Sequence, residues 1–121
     1  MEIPKVIYVV DDDHDVLKSV GRLLKLRGFA SRLFPSAEAF EAGVDTSEAT
    51  CLILDIRLGE TSGIELRYKL SRSSFPVPVV FITADDSDAT RQSAVAAGCV
   101  AYLRKPFTSK ALVDAVTEAI G

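Results

Sequence analysis

Cys51–Gly63, CLILDIRLGETSG, carries an apolar run fit for a protein core straight into a carboxylate, Asp55, and then into a loop with two glycines. Taken alone, Asp55 closes a strand or starts a turn, as Asp commonly does. A second apolar run, KVIYVV at Lys5–Val10, also ends on acids, Asp11 and Asp12. It is rich in β-branched residues and lacks the alternation that a solvent-facing strand would need. It therefore reads as a parallel strand covered on both faces.

Outward from these two runs, strand and helix patterns alternate. DDDHDVLKSVGRLLKLRGF at Asp11–Phe29 has acids at its start and an apolar stripe of Val16, Val20, Leu23, Leu24 and Leu26 or Arg27, with Gly28 as its stop. ASRLF is a short strand. SAEAFEAG opens on Ser36 as N-cap and ends at Gly43. TCLILD is the third strand, and SGIELRYKLSR a helix. VPVVFITA is the fourth strand, with Pro78 near its start, where a missing N–H is tolerated. The segment Asp86–Gly98, mostly alanine where it is apolar, predicts a weakly amphipathic helix. CVAYLRKP is the fifth strand, and TSKALVDAVTEAIG closes with Leu112, Ala115, Val116, Ala119 and Ile120 on one face. Five strands alternating with five helices predict a doubly wound α/β domain, (βα)5. Its parallel sheet would be sandwiched between helices, with right-handed crossovers.

The chain has 121 residues, enough for one domain with a real core. No apolar window is long enough for a membrane span. The N-terminal residues lack the basic start and small-residue cleavage site of a signal peptide, so the expected compartment is the cytoplasm. With a net charge of −3 and no basic stripe, the chain is not expected to bind nucleic acid by itself. Cys51 and Cys99 are far apart, with no CxxC or Cys/His spacing, and read as small hydrophobes rather than a disulfide or metal site. His14 reads as a solvated residue of the first helical turn.

In an open α/β sheet, ligands gather beyond the carboxyl ends of the strands, where strand order reverses. At those ends stand Asp11 and Asp12, Asp55, Thr83, and Lys105 followed by Pro106. Two like charges about 4 Å apart cost roughly 4 kcal/mol at an effective dielectric near 20, so the acids need a cation among them. Lys105 supplies one charge. Carboxylates, a backbone carbonyl and waters also form the ligand set that suits Mg2+. Thr83 and Lys105 could hold phosphate oxygens, and Asp55 could act as a nucleophile toward phosphorus. Asp13 and Asp15 read instead as complements to the helix dipole.

VIYVVDDD, LILDIRLGETSGIEL, VVFITA and AYLRKPF, in this order and spacing, resemble the receiver domain of two-component response regulators. The resemblance covers essentially the whole chain. PSAEAF and KPF are similar to receivers that precede a helix-turn-helix output domain. It implies a flavodoxin-like strand order of 2-1-3-4-5 and one receiver domain over residues 1–121. The chain stops as its last helix ends, where a linker would begin, so a receiver cut from a longer transcription regulator is expected.

By the same resemblance, Asp55 would accept a phosphoryl group from a sensor histidine kinase. Asp11, Asp12, Asp55 and the Arg57 backbone carbonyl would hold Mg2+, and Lys105 would pair with the phosphoryl group. Thr83 would swing toward it and Tyr102 would turn inward, while Lys105–Pro106 would be a cis peptide. Where many receivers carry proline in the loop after the phosphorylated aspartate, this chain has Gly59, which is expected to loosen that loop. Arg57 and Asp85 should form a screened surface pair, or none, and would tune the access of water to an acyl phosphate. The helix at Asp86–Gly98, the fifth strand and the last helix would form the responsive face, leading to homodimerisation or release of an output domain.

Two other readings stand beside this one. VVDDDHD is similar to the opening motif of haloacid-dehalogenase-type phosphatases, which would make Asp11 the nucleophile and Asp13 the acid, with Asp85 and Asp86 as a late acidic motif. Alternatively the domain would bind proteins independently of phosphorylation.

Overall fold

The computed structural model describes residues 6–43, 49–72, 77–85 and 87–121. Lys5 and Asp86, which the strand and helix readings include, lie outside the described residues, as does the N-terminal segment read above for a leader. The elements run β1 (Val6–Val10), α1 (His14–Leu26), β2 (Ala30–Phe34), α2 (Ala37–Gly43), β3 (Ala49–Asp55), β4 (Arg57–Leu58), β5 (Thr61–Ser62), α3 (Gly63–Arg72), β6 (Val79–Thr83), α4 (Asp88–Ala97), β7 (Ala101–Arg104) and α5 (Ser109–Ile120). The main sheet has the order β2-β1-β3-β6-β7, and every pairing in it is parallel. Counted within this sheet, the order is the expected 2-1-3-4-5.

Alternate side chains of the central strands leave opposite faces, so each strand feeds two cores. Tyr8, Val10, Leu52, Leu54, Val79 and Phe81 face α2, α3 and α4, meeting Phe40, Leu66, Leu70 and Ala94. Ile7, Val9, Cys51, Ile53, Val80 and Ile82 face α1 and α5, meeting Leu17, Val20, Leu24, Leu112 and Val116. Burial on both faces is the physical reason these strands read as unbroken apolar runs.

The stripe of α1 needs correction. Leu17, Val20 and Leu24 are buried, whereas Leu26 is 77% exposed. Two residues past Leu24, Leu26 lies nearly half a turn round the helix and points outward. The helix ends at Ser36 and Gly28 are as expected, and Asp13, read as a complement to the α1 dipole, is also that helix's N-cap. Asp13 caps α1 by accepting from Asp15 N and Val16 N, Ser36 Oγ accepts from Ala39 N, and Gly28 leaves α1 at φ 84°. Both cysteines are free.

The two-stranded hairpin β4–β5 was not expected, because two-residue strands carry no readable period. Gly59 is the first of its two loop residues and adopts φ 65°, a left-handed conformation that favours glycine. The glycine expected only to loosen this loop thus makes its turn. Among the described residues, no helix is long and apolar enough to cross a membrane.

Candidate functional site

The chain leaves β1 toward β2 on one side of the sheet and returns to β3 on the other, so a crevice opens beyond the ends of β1 and β3. Asp11 follows β1 and is fully buried, and Asp55 ends β3 and is nearly so. Asp12 is exposed at the rim. Carboxylate oxygens of the three lie within 4.8 Å of one another.

Lys105, carried by the segment after β7, enters from the far side. Its Nζ lies 2.7 Å from Asp11 Oδ2 and 3.0 Å from Asp55 Oδ2. The lysine is held in place by its own amide, which donates to Thr83 O. The Lys105–Pro106 peptide is cis. Burial alone would lower the lysine's pKa, but its bonds to Asp11 and Asp55 prevail and raise it. One ammonium therefore serves two buried carboxylates. Burial, and next the charge of Asp11, push Asp55 up to about 6, against the lowering pull of Lys105 and the Arg57 amide.

The other oxygens are positioned by backbone. Asp55 Oδ1 accepts from Arg57 N, and Asp11 Oδ1 accepts from Asp13 N. Asp11 Oδ2 is buried and leans on the Lys105 ammonium, which it shares with Asp55. A buried anionic oxygen that shares one ammonium with a second buried carboxylate, with Asp12 beside them, fits an oxygen-seeking divalent cation such as Mg2+.

Gly63 braces the pocket from behind. Its N–H donates to Ile56 O at 2.7 Å, and a Cβ built there would run into the backbone carbonyl of Asp55. Only glycine lets the start of α3 approach β3 this closely. The requirement is tertiary, and the run GETSG gave no sign of it.

Thr83 is buried at the end of β6, and its Oγ1 accepts from Asp85 N at 3.0 Å. Tyr102 is half-buried. Its hydroxyl donates to Asp85 O, and the Arg91 guanidinium lies 5.1 Å from the ring centroid. Arg57 and Asp85 do pair, at 3.3 Å, with the arginine side chain 76% exposed, a screened geometry of small energetic worth. Asp85 had been read as that partner and, in the phosphatase alternative, as part of a late acidic motif. Its carboxylate also accepts from Ser87 N and Thr90 Oγ1, and these bonds, the Ser87 amide first, hold its pKa down to about 2.

Asp11, Asp12, Asp55 and Lys105 thus converge, while Thr83 and Tyr102 meet one residue away, at Asp85. The phosphatase reading needs Asp13 as an acid near Asp11, but that carboxylate is engaged in capping α1. Of its late acids, Asp85 is engaged by Arg57 and Thr90, and Asp86 lies outside the described residues.

Residues 7–117 match the family model of the response regulator receiver domain. The response regulator protein TmoT of Ectopseudomonas mendocina is 35% identical over 115 residues, which span 95% of this chain and 52% of TmoT. The transcriptional regulatory protein FixJ of Rhizobium meliloti is 32% identical, over 93% of this chain and 55% of its own. The chain spans about half the length of these curated relatives. Among solved structures, the response regulator StyR superposes with a TM-score of 0.87 at 37% identity, over 97% of this chain and 59% of that one. FixJ-N gives 0.85 at 30% identity, over 99% and 95%.

Proposed function

The chain belongs to the response regulator receiver domains, and from that premise we propose that Asp55 is its phosphoacceptor, in a Mg2+-dependent signalling switch. The observation that carries this reading is the single ammonium of Lys105 shared between Asp55 and Asp11. Such a pocket is short of positive charge and rich in oxygen ligands, and it surrounds a carboxylate at a strand end.

In the proposed reaction an oxygen of Asp55 attacks the phosphorus of a phosphohistidine on a sensor histidine kinase. The P–N bond breaks, an acyl phosphate forms, and the imidazole departs with the electron pair. Asp11, Asp12, Asp55 and the Arg57 backbone carbonyl would hold Mg2+, which when bound would neutralise charge on the phosphoryl oxygens. Asp11 and Asp12 position that charge, and Lys105 turns from carboxylate to phosphoryl oxygen. The phosphoryl group carries about −1.5 to −2 charge and three strong acceptors. It offers Thr83 a new partner, and withdrawal of the Thr83 hydroxyl from the Asp85 amide disturbs the carbonyl that holds Tyr102. The change then shifts the population of α4, β7 and α5, with homodimerisation or freeing of an output domain as the consequence.

The chain is a signalling module. We read its phosphoryl chemistry as confined to its own Asp55, and its place as the cytoplasm, where an ATP-supplied kinase can reach it. The name of FixJ, a transcriptional regulatory protein, and the relatives' roughly doubled length support a transcriptional output half beyond one receiver domain. Arg57 and Asp85, at the pocket's mouth, would tune attack of water on the acyl phosphate.

The test is intact mass after incubation with Mg2+ and a small phosphodonor. One labile phosphoryl group is expected, lost in chelator and in Asp55→Asn. Labelling that survives in Asp55→Asn would overturn the assignment.

A further inference from the structure

Among the described residues, Asp85 makes five hydrogen bonds, to Thr83, Ser87, Thr90, Arg57 and Tyr102, which come from β6, the start of α4, β4 and β7. The bond from Ser87 N needs no special reading, since an aspartate just ahead of a helix commonly accepts from the backbone there. Oδ2 does something else. It accepts from Thr90 Oγ1 at 2.8 Å and from Arg57 Nη2 at 3.3 Å. The Arg57 amide in turn donates to Asp55 Oδ1. A continuous line of bonds therefore runs from Asp55 through Arg57 to Asp85, and from there into the first turn of α4.

The main chain of Asp85 adds a second line. Its amide occupies Thr83 Oγ1, and its carbonyl receives the Tyr102 hydroxyl. A swing of Thr83 toward a phosphoryl oxygen would draw its hydroxyl away from that amide, leaving a donor to be satisfied elsewhere. Little packing opposes a shift of α4, in which Ala94 is the buried residue.

We propose that Asp85 is a positioning residue that clasps Thr83 and the start of α4 to the loop behind Asp55, holding the switch at rest. It touches no reacting atom. The clasp rests on the receiver reading above and adds to it the element that must open.

The test is a titration with beryllofluoride in Mg2+, as a phosphoryl mimic, followed by amide NMR of residues 87–97 and Tyr102. Removing the side-chain half of the clasp by Asp85→Ala, with the main-chain bonds to Thr83 and Tyr102 left in place, should tighten mimic binding about three- to fivefold, the worth of an exposed ion pair. The mimic-free variant should also place the α4 and Tyr102 resonances part-way along the line between free and bound wild type. Asp85→Asn keeps an acceptor for Ser87 but loses the charge that holds Arg57, so it should move the same way by less. If Asp85→Ala unravels α4, the Asn variant decides. Shifts confined to Ser87–Thr90, with affinity unchanged or weakened in both variants, would make Asp85 a mere helix cap and overturn the clasp. Wild type that ignores the mimic, or binds it equally as Asp55→Asn, would instead sink the receiver reading and the clasp with it.

Discussion

The centre of the sheet and its α4–β7 side are built to different standards. Along β3 and β6, Cys51–Asp55 and Val79–Thr83 are all buried, as are Ile7–Val10 of β1. On the other side, β7 has no fully buried residue, α4 buries Ala94, and Val95 stands 64% exposed. The rigid part holds the carboxylates, where a displacement of an ångström would spoil charge geometry. The lightly packed part adjoins Thr83 and Tyr102, where the proposed switch needs a shift to be cheap. Burial is thus concentrated around the carboxylates that the proposed chemistry needs fixed, and is sparse where the proposed signal needs movement.

Substitutions can break or sharpen this contrast. The largest effect belongs to Phe81→Ala, which empties the core between β6 and the α2–α4 layer. It should cost about 3–5 kcal/mol in denaturant unfolding, and a loss below 1 would deny that the centre is tightly packed. Next comes Gly63→Ala. Its new Cβ meets backbone rather than a yielding side chain, so about 3 kcal/mol should be lost, together with Mg2+ binding. An unchanged midpoint would show that α3 can retreat from β3 freely.

Asp55→Asn should do the reverse in chelator and stabilise the fold. The folded pKa of Asp55 is raised to about 6, above its unfolded value of about 3.9. The proton is therefore held more tightly in the folded state, and stability falls as pH rises through this window. Below about pH 4 both states are protonated and the variant gains nothing; above pH 6 its advantage is full, about 1–3 kcal/mol. Saturating Mg2+ should erase that advantage, because the cation binds the folded wild type. Melting curves from pH 4 to 8 would show it, and a variant less stable than wild type at pH 8 in chelator would count against a pocket short of cations. The smallest effect is expected on the soft side, where Val95→Ala should stay within about 0.5 kcal/mol. A larger loss would mean that α4 is anchored more firmly than its burial implies.

Much of this plan was legible before the fold was known. Apolar runs without alternation declared strands buried on both faces, and Asp11, Asp55, Thr83 and Lys105 declared themselves by standing at strand ends. Ser36 was readable as a cap because capping is local chemistry, whereas Asp13, read as a complement to the helix dipole, was not recognised as the N-cap of α1. What else escaped was tertiary. Leu26 was misplaced by half a turn, and the hairpin around Gly59 was too short to have a period. Gly63 owes its identity to a neighbouring strand, and the partners of Asp85 lie up to 28 residues away.

The assignment of Asp55 is tested most directly by trapping the phosphorylated chain with borohydride, which reduces an acyl phosphate of aspartate to homoserine, and mapping the peptides. Homoserine at position 55, absent when Mg2+ is chelated, is the expected result. Homoserine at position 11 with an intact Asp55 would contradict it and turn the pocket into a phosphatase-like centre built on the other buried carboxylate.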